Sequence, residues 1–301
     1  RQWSNLLSPA EYAQIAQRVE LAFAPTNSKT FGVDDAVALQ LDIKNIPSLL
    51  IKIYEINTWN YYRTHQRPVD TDLNLEGLVA NWEAKHDYKD LPQRRMRRRF
   101  EFPQLKRPGV YVIDFIGNGQ QSRVVVRKGQ LTFFERTTTA GQRLTVLDES
   151  RRPLANASVW LGGQEFAADD RGSVLVPFST QPQRTAIVLS DGIRHSLSWL
   201  QHQGEEYRLV AGIVANRESL LAGHEATILI RPQLKLNGEP VSLSLLDDNQ
   251  LELRATNDRG VTTVTVENDF ELHEDREATY SFRVPPQTTT IEFNLTSKVK
   301  S

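Results

Sequence analysis

Cysteine is absent from the 301-residue chain. That excludes disulfides, thiolate metal sites, a cysteine nucleophile and a thioester built on a cysteine side chain. The redox compartment stays open, because a chain without thiols is indifferent to oxidation. Each domain must hold by apolar burial alone, which about ninety residues can do without staples. Methionine occurs once, at Met96, and the first residue is Arg1, so the chain is expected to be a piece of something longer. No stretch approaches the roughly 18 apolar residues of a membrane span, and no charged-then-apolar leader is seen, which says little about the parent's address. An excess of one charge is missing too. The 36 Lys and Arg offset 37 Asp and Glu to give a net −1, so no whole-chain field draws nucleic acid or an anionic membrane. An electrostatic partner would have to be recruited by a local patch.

Signatures of catalysis and metal binding are also lacking. Asp70, Asp72 and Asn74 begin a calcium loop, but Leu75 stands where glycine is needed and Asn81 where a bidentate glutamate is needed. A turn capped by those side chains is the expected use. The six histidines are scattered. Glu83 and His86 would share a helix face without further ligands, and His224-Glu225 has no second histidine at zinc-protease spacing. Gly117-Asn118-Gly119 and Gly162-Gly163 read as hairpin glycines, since no helix pattern follows them. No serine has a nucleophile-elbow context. No catalytic residue, cofactor site or metal site is expected.

What is present is short-range order. Ser8-Pro9-Ala10-Glu11 is a capping box with proline at the first helical position. Tyr12, Ile15, Ala16 and Val19 follow at helical spacing, and the helix is expected to end at Pro25-Thr26-Asn27-Ser28. Period two then takes over: Val37, Leu39, Leu41 and Ile43, then Leu49, Ile51 and Ile53, then two runs bracketing Gly117 to Gly119. Residues 57–92 are less regular and carry Trp59, Tyr61, Tyr62 and Trp82. They read as an insertion with a short helix near Leu78 to Lys85. In the second half a faint repeat of about ninety residues is visible, each copy running from a proline through β segments to Asp-Arg-Gly, at 170–172 and 258–260. The length suits a β-sandwich, and Gly172 and Gly260 would supply positive φ in hairpins.

Three stretches carry a family resemblance. "LKRPGVYVIDFIGNGQQSRVVVRKGQL" resembles the closing strands of a macroglobulin (MG) domain in bacterial α2-macroglobulin-like proteins. "LTVLDESRRPLANASVWLGGQEFAADDRGSVLVPF" resembles the opening of the next one. Residues 144–178 also resemble carboxypeptidase regulatory-like (transthyretin-like) sandwiches. "NIPSLLIKIYEIN" is similar to an entering strand, and "TTTIEFNLTSKVKS" reads as a last strand of the same kind. The resemblance implies an all-β chain of tandem antiparallel, MG-like or Ig-like β-sandwiches with a short N-terminal helix. Expected divisions are 1–28 for helix and linker, then sandwiches over 29–134, 135–207 and 208–301. It also implies a cell-envelope or secreted location. The thioester motif of the full-length family is absent here, so the protease-trapping reaction does not carry over.

One stretch invites a sharper reading. "LPQRRMRRRFEFPQL", residues 91–105, sets five arginines around Met96. With strand alternation Met96, Phe100 and Phe102 face a core and Arg95, Arg97 and Arg99 face solvent. Nearby Asp70, Asp72, Glu76, Glu83, Asp87 and Asp90 could neutralise them, or the arginines could hold a polyanion by weak, salt-sensitive contacts. Trp59, Tyr61 and Tyr62 could stack sugars, or staple the insertion to its sandwich. The expected function is non-enzymatic: structural and interaction domains of a larger macroglobulin-like protein, with neighbouring domains or another protein as partner and no nucleic acid. The alternatives are carbohydrate or polyanion binding, or a segment of a protease inhibitor. The sequence does not specify an oligomeric state.

Overall fold

The computed structural model describes residues 8–90 and 94–300. Residues 1–7 of the expected N-terminal segment, 91–93 at the end of the insertion, and 301 lie outside the described residues. The chain divides into two compact units. One comprises Arg1–Arg136, Arg143–Val176 and Gln183–His202, the other Thr137–Gln142, Pro177–Pro182 and Gln203–Ser301.

Helix α1 (Pro9–Gln17) opens the first unit with the expected capping box: the Glu11 backbone N–H donates to Ser8 Oγ, and the Ser8 backbone N–H donates to the Glu11 carboxylate at 2.8 Å. The helix is shorter than its sequence pattern suggests. It ends at Gln17, and Val19 leads into a strand, because Lys44 and Asn45 donate to the Ile15, Ala16 and Arg18 carbonyls. Those donors satisfy groups that a further turn would have used.

The first sandwich follows. Its strands are β1 (Glu20–Phe23), β2 (Thr30–Phe31), β3 (Ala38–Lys44), β4 (Ser48–Ile56), β5 (Trp82–Asp87), β6 (Met96–Glu101), β7 (Gly109–Gly117) and β8 (Gln120–Lys128). One sheet runs β1-β3-β6 and the other β2-β8-β7-β4-β5. Pairing is antiparallel except for the short β2–β8 contact. Between the sheets lie Leu39, Leu41, Ile51, Ile53, Phe100, Phe102, Ile113, Phe115 and Val126. Helix α2 (Thr58–His65) connects β4 to the loop before β5.

The expected helix near 78–85 is absent: residues 78–81 are irregular and β5 takes up the rest, running along β4 with Trp82 opposite Ile53 and Asp87 opposite Ser48. The Glu, Ala and Lys there favour a helix locally, but an open sheet edge supplies ladder bonds that outweigh that preference. Glu83 and His86 therefore share no helix face.

The second sandwich contains β9 (Thr132–Thr138), β10 (Gly141–Leu147), β11 (Ser158–Leu161), β12 (Gln164–Ala167), β13 (Ser173–Val176), β14 (Gln183–Ser190) and β15 (His195–His202). Sheets β13-β10-β9 and β12-β11-β14-β15 enclose Leu144, Val146, Val159, Val174, Ile187, Leu189 and Leu200.

In the second unit lie β16 (Tyr207–Ala215), β17 (Glu225–Leu236), β18 (Glu239–Val241), β19 (Leu246–Asn257), β20 (Thr262–Asn268), β21 (Ala278–Arg283) and β22 (Thr288–Val299). β17 pairs with β16, β18 and β21, while β19 pairs with β20 and β22. Ile228, Ile230, Leu251, Phe270 and Ala278 form the main cluster between them.

The sequence repeat is real at its turns and not along its strands. At the first Asp-Arg-Gly, Asp169 accepts from the Arg171 and Ser173 N–H groups, and the Gly172 N–H donates to the Asp169 carbonyl. At the second, Asn257 accepts from Arg259 and Val261, and Gly260 donates to the Asn257 carbonyl. Gly172 has φ 73° and Gly260 φ 76°. The strands leading in differ. β11 and β12 form a hairpin through Gly162-Gly163, whereas the second copy runs through as the single strand β19, with a bulge near Asp248. Two glycines at positive φ turn the chain in one copy; without them the other continues straight.

Candidate functional site

The arginine run forms β6, antiparallel to β3 and in the expected alternation: Phe100 is buried while Arg95, Arg97 and Arg99 are exposed. Their partner is a residue that sequence proximity did not suggest. Arg97 stands opposite Asp42 and binds it in two-pronged fashion, Nε to Oδ1 at 2.9 Å and Nη2 to Oδ2 at 2.9 Å. Arg95 donates to the same carboxylate at 2.7 Å and lies 3.4 Å from Glu20. Arg99 pairs with Glu101 and Arg98 with Asp90 while lying 4.0 Å over the Tyr88 ring. Of the acidic residues expected to neutralise the cluster, Asp90 is brought to it; the carboxylates on Arg95 and Arg97 come from β1 and β3. Asp42 is buried, and the Arg97 hydrogen bonds, opposed by its burial and helped by Arg95, hold its carboxyl down to about 2. The outward face is thus a charge network around one buried carboxylate, with both guanidiniums half in water.

The aromatic segment does something different. Asn57 caps α2 by accepting from the Asn60 N–H, and Gln66, at φ 48°, ends it. One face of the helix lies on the outer side of the β4-β7-β8 sheet. Its other contacts are to the second sandwich: Trp160 stands opposite Val188, and Val188 opposite Leu197, on the face turned toward α2. Tyr54, Tyr62, Val69, Val110, Val112, Val125, Trp160 and Val188 make one buried cluster, with Trp59 and Tyr61 partly buried against it. The Arg63 guanidinium lies 4.9 Å from the Trp59 ring centre and 5.7 Å from that of Trp160, and Trp59 lies 5.0 Å from the His195 ring. Tyr62 is 3% exposed, so its ring presents no face for a sugar. Burial raises the Tyr62 hydroxyl above its ordinary pKa and lowers that of the His195 imidazole.

The loop after α2 is pinned to the same sheet by arginines. Arg123 donates to the Thr71 and Leu73 carbonyls at 3.0 and 2.7 Å, and Arg127 to that of Val69 at 2.6 Å. Arg123 also pairs with the buried Asp114 at 3.2 Å. Asp70 and Asn74 accept from the Thr71 and Glu76 backbone N–H groups, so their side chains serve local turns. A cleft of about 430 Å³ in this unit is lined by Lys29, Arg127, Lys128, Arg194 and His195 among others. Three of these cations are already committed: Arg127 to the Val69 carbonyl, Lys128 to the Asp35 and Leu105 carbonyls, and Arg194 to Asp191 and Glu149.

Antiparallel sheets paired around separate apolar cores define tandem immunoglobulin-like β-sandwich domains, the class to which macroglobulin domains also conform. More particularly, residues 49–129 match the model for the AbpF first immunoglobulin-like domain, and residues 216–301 that for the AbpF third immunoglobulin-like domain. The stretch resembling carboxypeptidase regulatory-like domains lies between those matches. A curated relative, "Actin-binding protein F" of Dictyostelium discoideum, is 31% identical over 297 residues, covering 96% of this chain and 13% of the relative. Among solved structures, the MG0-NIE-MG1 portion of Escherichia coli α2-macroglobulin is 12% identical and covers 60% of this chain and 64% of that one, with a TM-score of 0.41. A Salmonella α2-macroglobulin variant is 12% identical over 93% of this chain and 19% of its own, with a TM-score of 0.37. The match to a Dictyostelium relative named for binding actin overturns the cell-envelope or secreted location, which rested on the bacterial resemblance alone.

Proposed function

We propose that the chain is a non-enzymatic structural and interaction segment of a longer immunoglobulin-like protein, with sandwiches over about 29–134, 135–207 and 208–301, and that the longer protein associates with actin. The observation that carries this reading is the buried cluster around Trp160, Tyr62 and Val188, by which an insertion in the first sandwich grips the second. Such burial supports a spacer of fixed geometry, since it removes the freedom that a flexible linker would retain. The name of the Dictyostelium relative supports the association with actin. Replacing Arg63→Ala together with Trp160→Ala removes both the cation and the ring it covers. Calorimetry of the native chain is expected to show the first two sandwiches melting together, and the double variant melting in separate steps. Unchanged melting in the variant would remove the basis for the spacer.

The exposed guanidiniums of Arg95, Arg97 and Arg99 favour a second reading, an acidic partner held at the first sandwich. Co-sedimentation with filamentous actin at two salt concentrations separates the two. As a spacer the chain alone stays in the supernatant at physiological salt; sedimentation abolished by changing the three arginines to Gln would make this strand the contact surface.

A further inference from the structure

β20 is an outer strand of the sheet ordered β20-β19-β22, and all of its residues, Thr262 to Asn268, are exposed. Its ladder bonds are settled by the turn that precedes it. The Asn257 N–H donates to the Val261 carbonyl at 3.0 Å, and Thr256 stands opposite Thr262. Antiparallel alternation then directs the backbone groups of Thr263, Thr265 and Glu267 toward Ala255, Leu253 and Leu251 of β19. The N–H and C=O groups of Thr262, Val264, Val266 and Asn268 point the other way, along an edge that pairs with no strand among the described residues.

Exposed edges are ordinarily blunted by proline, lysine, a bulge or extreme shortness. β20 has none of these: it reads TTVTVEN, with Val264 54% and Val266 44% exposed, and its register with β19 is unbroken. Alternating threonine and valine is also among the compositions that extended strands favour most. β20 carries one charge, Glu267, whereas the sheet's other edge, β22, has Lys298 and register shifts against β19.

We propose that this edge pairs antiparallel with the same strand of a second copy of the chain, about a two-fold axis through Thr265. The strand is self-complementary in that register. Val264 meets the partner's Val266 twice over, related by the axis, and these are the residues whose backbone groups point outward. Thr265 meets the partner's Thr265, Thr263 the partner's Glu267, and Thr262 the partner's Asn268. No like charges meet, and valine–valine and threonine–threonine neighbours each add to a sheet. A slip of one residue sets outward-bonding groups against inward-bonding ones. A slip of two sets one valine against Thr262 or Asn268 and keeps a single valine pair in place of two.

Because the chain contains no cysteine, single cysteines report this register cleanly. Thr265 falls at a non-hydrogen-bonded pair, where Cα atoms approach to roughly 4.5 Å, within disulfide reach. Sedimentation velocity on the full chain is expected to show a dimer that grows with concentration, and Val264→Lys is expected to weaken it by about tenfold or more. Under mild oxidation Thr265→Cys should give a covalent dimer in high yield, and Thr263→Cys, on the same face but opposite the partner's Glu267, far less. Both sites are exposed, so circular dichroism should find the variants folded. A chain that stays monomeric at every concentration overturns the proposal, as does a dimer indifferent to Val264→Lys. Equal cross-linking from both cysteines overturns the register.

Discussion

Asp42 is a carboxylate taken out of water and returned to charge balance by Arg97 and Arg95. Removing one partner of such a group leaves the other's desolvation uncompensated, whereas surface ion pairs contribute little. The three outward arginines are therefore not equivalent. Arg97→Gln should destabilise the chain more than Arg99→Gln, whose partner Glu101 is exposed, as urea unfolding at neutral pH would measure. The carboxyl's fall from 3.8 to about 2 also fixes a pH dependence. As acid is added, the unfolded chain takes up this proton first, so the contribution is complete above about pH 4 and is lost as pH falls through about 2. Asp42→Asn should cost stability at pH 7, with its deficit shrinking over that window in a pH series of unfolding curves. Alternation alone shows which way Phe100 and Arg97 point. It does not show Asp42, because that partner is set by the β3–β6 register, and chain distance favours the acidic residues at 70–90.

At the scale of the element, turns are the most legible feature. Asn118-Gly119, Gly162-Gly163 and Asn237-Gly238 each join two strands with both residues at positive φ, as two-residue hairpins require. The paired Asp-Arg-Gly turns allow a quantitative comparison. An alanine at either glycine must adopt a left-handed backbone, costing about 1–2 kcal/mol. At Gly260 a Cβ meets open space, whereas at Gly172 it comes within 3.3 Å of the Leu154 carbonyl oxygen and 3.4 Å of the Ala155 Cα. Gly172→Ala should therefore lower the melting temperature more than Gly260→Ala. Residues 78–85 read as helix for the opposite reason: the helix-forming residues from Trp82 on are overruled by β4, and nothing local announces that. Helix α2 is not legible because eight residues are too few to show an apolar period, and part of its burial comes from a neighbouring sandwich.

Over the whole molecule, period two and turn chemistry make the all-β, tandem-sandwich architecture readable, and the continuous apolar runs of β7 and β8 hint at sheets covered on both sides. What covers the outer side is not readable, since Trp160 and Val188 belong to a later sandwich. Among the described residues no cluster of three His, Asp or Glu could hold a metal, so EDTA should leave the melting temperature unchanged; a drop restored by calcium would return attention to Asp70, Asp72 and Asn74. The grip of α2 on the second sandwich bears on descent as well. A recombination event that copied or moved the first sandwich alone would strand the apolar faces of Tyr62 and Trp160 in water, each inviting aggregation. Gene rearrangements that survive should therefore carry residues 58–65 and 158–197 as one heritable block.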